Sequence, residues 1–203
     1  MKIIFLDNDG VICLGNNWGS RFKKQDRSIA ETVSDKDLPV EQRFDDFDKK
    51  AIKVLNEILE ETDAQIIVSS DWRLFATIEE LGEYYMSQGI IRAPIGGTEI
   101  FDYLKWKEEG LFDDNFPWYR YHSREQERHF EILRWLRDNA QKMNVTHWVA
   151  IDDLNMGKEV HTRYGDETRE WGLDNFVWTP LDYEGIKQCG KKEKVLEFLS
   201  GDI

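Results

Sequence analysis

A chain of 203 residues with 40 acidic against 27 basic side chains has a formal charge of −13, which excludes long-range attraction to nucleic acid and stable binding to it by net charge. At this length about 70% of the unfolded surface is buried on folding, so no disulfide or metal staple is required, and Cys13 and Cys189 read as unpaired thiols of a reducing compartment. No Cys/His cluster has zinc spacing, and the opening apolar run is too short for a signal peptide or membrane anchor, so the expectation is a cytoplasmic protein without a membrane partner.

The first element is KIIFL (2–6), a short apolar run bounded by polar residues, as expected of a strand buried on both faces. Residues 14–44 follow, polar and mixed in charge, with Gly15, Gly19 and Pro39 breaking any period. Phe47, Ala51, Val54, Leu55, Ile58 and Leu59 then keep a 3.6-residue period and predict an amphipathic helix over 45–61. AQIIVSS (64–70) predicts a second buried strand, and Leu74, Ile78, Leu81 and Tyr85 a helix after it. Residues 92–123 are aromatic-rich and broken by Pro94, Gly96, Gly97, Gly110 and Pro117, the mark of an ordered lid. A helix over 124–142 carries Phe130, Ile132, Leu133, Trp135, Leu136 and Ala140 inward. THWVAI (146–151) and NFVWT (175–179) are further strands, and Val195, Leu196, Phe198 and Leu199 close the chain on a helix.

Strands alternating with helices imply βαβ units, hence an α/β fold with a parallel sheet covered by helices on both faces. The expectation is one catalytic domain over 1–203, with 14–44 and 92–123 as insertions. In such sheets ligands bind beyond the carboxyl ends of the strands. Those ends carry Asp7, Asn8, Asp9 and Gly10, then Ser69, Ser70, Asp71, Trp72 and Arg73, then Asp152 and Asp153. Carboxylates gathered at that density repel, and a divalent cation holds them together. A donor set of oxygens alone suits Mg²⁺ better than zinc. Such a site invites phosphoryl transfer, in which an aspartate can take the phosphoryl group covalently. Gly10 permits a sharp turn that brings amides toward phosphate, and a serine hydroxyl can donate to a phosphoryl oxygen. Arg124 or Arg128, at the start of the following helix, would balance the remaining charge. Trp72 and Trp135 read as packing residues, and PWYRYH (117–122) as lid packing or a base-stacking surface.

FLDNDGV resembles the first motif of the haloacid dehalogenase (HAD) superfamily, IIVSS the second and WVAIDD the fourth, with Arg128 as the candidate basic residue of the third. SSDWR (69–73), RHFEILRWL (128–136), IDD (151–153), EGI (184–186) and IGGT (95–98) are similar to segments of the HAD domains associated with bacterial and phage RNA-repair proteins. That resemblance implies the three-layer, Rossmann-like HAD fold and Mg²⁺-dependent phosphomonoester hydrolysis. It makes Asp7 the nucleophile that forms an aspartyl-phosphate and Asp9 the general acid and base. It puts Mg²⁺ on Asp7, the backbone carbonyl of Asp9, and Asp152, with Asp153 in support. Ser69, with Ser70 and Gly10 nearby, would bind the phosphoryl group and Arg128 would fill the basic role; Arg73 would orient substrate or brace the site. The implied substrate is a nucleotide or a nucleic-acid end, and the acidic charge leans toward the small nucleotide. A phosphotransferase of the same fold and a silent phosphate-binding protein are the rival expectations.

Overall fold

The computed structural model describes residues 1–15, 38–111, 123–157 and 172–201. Its strands are β1 (Lys2–Leu6), β2 (Gln65–Val68), β3 (Gly96–Gly97), β4 (His147–Asp152) and β5 (Phe176–Trp178). They form one parallel sheet in the order β3-β2-β1-β4-β5, with β1 in the middle. The helices are α1 (Val40–Arg43), α2 (Lys49–Thr62), α3 (Ile78–Ser87), α4 (Tyr103–Glu108), α5 (Arg124–Asn139) and α6 (Lys191–Ser200). No helix among the described residues is long and apolar enough to cross a membrane.

Strand alternation divides the core in two. Ile4 and Leu6 of β1, Ile66 and Val68 of β2, and Val149 and Ile151 of β4 pack against α2, α3 and α6. Ile3, Phe5, Ile67 and Ala150 turn to the opposite face, where Ile132 and Trp135 of α5 cover them. Phe5 meets the Trp135 ring edge-on, with 5.2 Å between centroids. The result is the three-layer α/β arrangement that the runs of apolar residues imply.

Local chemistry moved several boundaries. The helix expected from residue 45 begins at Lys49, because the Asp48 side chain accepts from Lys50 N (3.0 Å) and Ala51 N (2.8 Å) and so caps it. The period that starts at Leu74 is split. Asp71–Leu74 is a 3₁₀ turn, and α3 starts afresh at a capping box in which Thr77 and Glu80 bond each other's backbone N–H. Leu74 is accordingly exposed rather than part of the buried stripe. The helix expected over 124–142 stops at Asn139, and Asn144, in the left-handed region, turns the chain into β4.

The stretch expected as a lid contributes the edge strand β3, which sequence reading missed. Ile95 N bonds Ile66 O (2.9 Å) and Thr98 N bonds Val68 O (3.0 Å) across a pair of glycines. A Cβ on Gly97 would stand 2.8 Å from Ile78 Cδ1, so a side chain there would push Ile78 of α3 aside. Within 14–44 and 92–123, residues 16–37 and 112–122 lie outside the described residues, and with them the aromatic stretch 117–122.

Candidate active site

The same alternation that sorts the core aims the polar residues. Phe5 faces α5, Leu6 faces away, and Asp7 therefore turns toward α5 as the strand ends. Ile67 and Ser69 share that parity on β2, as do Ala150 and Asp152 on β4. The strand ends stay in register beyond the ladder, since Asp7 N bonds Ile151 O (3.0 Å) and Ser69 N bonds Leu6 O (2.8 Å). Asp7, Ser69 and Asp152 thus meet at one edge, and α5 delivers Arg128 among them. Arg128 Nη1 lies 3.1 Å from Asp7 Oδ1 and 3.1 Å from Asp152 Oδ2, and it also donates to the Ser69 carbonyl. Nη2 reaches Asp71 Oδ1 at 3.1 Å.

Arg124, the competing candidate, lies one helical turn earlier and pairs instead with Asp71, Glu127 and Glu131. Among these two arginines, the geometry therefore puts Arg128 against the first and fourth motifs. Arg73 is turned inward. Its Nε donates to Ser70 O (2.7 Å), its Nη1 to Thr98, and its Nη2 pairs with Glu131 Oε2 at 2.8 Å.

Asp7, Asp152 and Asp153 each offer a carboxylate oxygen within 4.8 Å of the others. Asp9 stands beside this group, and its Oδ2 accepts from Trp72 Nε1 at 3.0 Å. Between the two acids Asn8 is fully buried; its carbonyl gathers the amides of Val11, Ile12 and Cys13, and its side chain accepts from the Tyr85 hydroxyl. This knot turns the chain sharply at Gly10, whose φ is +66°. A Cβ there would lie 2.5 Å from Asp153 Oδ2, so the turn and the acid fit only with glycine. Thr179 Oγ1 donates to Gly10 O (3.2 Å) and ties the turn to the segment after β5.

The serines divide. Ser70 points away from Ser69, and its hydroxyl accepts from Trp72 N (3.4 Å) to cap the 3₁₀ turn. Ser69 Oγ is buried and has no hydrogen-bond partner among the described residues. A buried hydroxyl left unpaired costs about 1–3 kcal/mol, which an anionic oxygen at the site would repay.

Acids outnumber arginines here, and the charges show it. Burial first, and then the charge of Asp7, raises the pKa of Asp152 well above the ordinary carboxylate range against the pull of Arg128. Burial together with Asp7 and Asp9 pushes Asp153 up to about 7. For Arg128, burial acts to lower the pKa, and Asp152, Asp7, Glu131 and Asp71 outweigh it, so the guanidinium stays charged. An oxygen-only donor set whose charge Arg128 offsets only in part suits a hard dication.

Glu131 was not singled out from sequence, and Asp71 was named there among the strand-end residues without a role. Glu131 is fully buried at the junction of Arg73 (2.8 Å), Arg124 (3.2 Å) and Arg128 (3.6 Å), and it accepts from Phe101 N (3.0 Å). Its spacing of three and seven residues from the two helix arginines, on one helix face, was the available signal.

A model of the family described as "HAD domain in Swiss Army Knife RNA repair proteins" matches residues 3–173. The chain belongs to that family. No curated protein and no solved structure matches it significantly. The HAD match covers the aspartates after β1, the serine turn after β2, α5 and the Asp152–Asp153 pair, which are the elements that build the site.

Proposed function

We propose that this HAD domain is a Mg²⁺-dependent phosphomonoesterase that works through an aspartyl-phosphate on Asp7. The observation that carries the reading is the convergence, at one sheet edge, of Asp7, Asp152 and Asp153 with the buried Arg128 guanidinium and a Ser69 hydroxyl that has no partner among the described residues. Asp7, Asp152 and the backbone carbonyl of Asp9 would hold the cation, with Asp153 in support. When bound, Mg²⁺ neutralises phosphoryl oxygens so that an anionic carboxylate can approach an anionic ester.

The chain's own residues divide the remaining work. Ser69 donates its hydroxyl to a phosphoryl oxygen. Arg128 holds Asp7 in its attacking position and offsets the charge that builds as the Asp7–phosphorus bond forms and the ester bond breaks. Asp9 gives its proton to the departing alcohol oxygen. It then takes a proton from the water that attacks the aspartyl-phosphate, which releases inorganic phosphate and restores both acids. Arg73 is a brace, since its nitrogens are engaged with Ser70, Thr98 and Glu131.

The family's link to RNA repair supports a phosphate at a nucleotide or a nucleic-acid end as substrate. The net charge of −13 favours short substrates among these. The test is phosphate release, with and without Mg²⁺, from nucleoside 3′- and 5′-monophosphates, phosphorylated oligonucleotides and sugar phosphates. Metal-dependent release from the nucleotide members is expected, and no release from any of them would refute the reading.

A further inference from the structure

We infer that Trp72 is the positioning residue for proton transfer by Asp9, and that Phe44 and Phe47 hold its indole for that task. The inference rests on the phosphomonoesterase reading and adds to it the part that aims the acid.

Trp72 is fully buried in the 3₁₀ turn after β2, and a buried indole N–H requires an acceptor. That acceptor is Asp9 Oδ2, at 3.0 Å. Asp9 itself is only half-buried and sits in a turn, and the plane of its carboxyl group is a matter of side-chain torsion. Fixing one oxygen sets that plane, and with it the direction in which the other oxygen meets a proton donor or acceptor. The bond serves both halves of the reaction. An indole N–H can donate to the carbonyl oxygen of a neutral Asp9 and to the carboxylate of an ionised one, so the aim persists as the proton leaves and returns.

The indole is held in turn. Phe44 stacks on it with 4.1 Å between ring centroids and 5° between planes, and Phe47 lies at 5.4 Å and 22°. Tyr84 closes the cluster at 6.0 Å. Rings packed in this way restrict the indole, and the Ser70 cap bonds the backbone below it. A bare packing role would need the rings alone; the N–H directed at Asp9 is the feature that packing does not explain.

The consequence depends on the leaving group. An alkoxide leaves badly and needs its proton, whereas a nitrophenolate departs as the anion. The experiment measures kcat/KM in Mg²⁺ for a nucleoside monophosphate and for p-nitrophenyl phosphate, with wild type, Trp72→Phe and Asp9→Asn. General acid catalysis is worth about 10²–10⁴-fold, so losing its aim should lower the alkyl-to-aryl ratio about tenfold or more in Trp72→Phe, with Asp9→Asn falling further the same way. A Trp72→Phe ratio equal to wild type, with Asp9→Asn still reduced, would overturn the inference and leave the phosphomonoesterase standing. Wild type that releases phosphate from neither ester would overturn both. If Trp72→Phe fails to fold, site-specific benzothienylalanine at position 72 decides the matter, because it keeps the bicyclic shape and lacks the N–H. A reduced ratio supports the positioning role, and an unchanged one refutes it.

Discussion

Replacing Arg128 by Met tests the electrostatic core of the site. The guanidinium is 2% exposed and lies 3.1 Å from each of Asp7, Asp152 and Asp71. Methionine keeps an unbranched apolar stem and removes the charge. Deleting one partner of a buried ion pair costs about 3–5 kcal/mol, because the other charge remains buried without compensation. Here Asp152 already binds its proton more tightly than an ordinary aspartate, through burial and the charge of Asp7, so it can neutralise itself in the variant. The lower end, about 3 kcal/mol, is therefore expected. For a chain of this size that lowers the thermal midpoint by about 6–12 °C. The assay is thermal unfolding followed by circular dichroism, with a chelator present, at about pH 5 and about pH 7.5. The sign follows from linkage. Without Arg128 the pKa of Asp152 in the folded state rises further above its unfolded value, and the resulting penalty grows as pH climbs through that window. The midpoint loss should be smaller at the lower pH, and Mg²⁺ should restore more stability to the variant than to wild type. A loss below about 1 kcal/mol, or one equal at both pH values, would refute the assignment of Arg128 as counter-charge to these acids.

In wild type, Asp153 is raised to about 7, so the folded chain binds the extra proton and stability falls as pH rises from the ordinary carboxylate range to about 7. A cation displaces that proton, and the midpoint gain from Mg²⁺ should grow across the same window; a gain independent of pH would argue against a carboxylate metal site. Asp7→Asn should abolish phosphate release while the protein still folds, and retained turnover would mean that another residue attacks. Gly10→Ala forces a side chain into the left-handed region, at about 1–2 kcal/mol, and drives its Cβ against Asp153 Oδ2. It should therefore raise the Mg²⁺ concentration needed for half-maximal activity, and an unchanged requirement would place Asp153 apart from the cation.

Much of this molecule can be read without coordinates because β1, β2 and β4 are buried on both faces. Continuous apolar runs such as Ile3–Leu6 suit few structures besides a central parallel strand, and the parallel order places their polar ends together. Asp7, Ser69 and Asp152 follow from that rule and from the period of two. The two-residue strand β3 was not legible, since Gly96 and Gly97 have no side chains to pattern, and the space at Gly97 is set by Ile78 and Arg73. Ser69 and Ser70 face opposite sides by alternation alone, but which side holds the site depends on where α5 packs. Arg124 and Arg128 are one helical turn apart on the same face of α5, so periodicity cannot separate them. Depth separates them: Arg128 lies over the sheet edge against Asp7, while Arg124 reaches the rim at Asp71. Trp72 was readable as a packing residue, and it packs against Phe44 and Phe47. Its bond to Asp9 joins residues 63 positions apart, and no local pattern encodes that distance. The sequence by itself thus determined the strands β1, β2, β4 and β5 and the acids at their ends, through burial and alternation. Only the tertiary structure decided which arginine neutralises them and which ring orients Asp9, because those pairings arise from helix depth and ring stacking between distant segments.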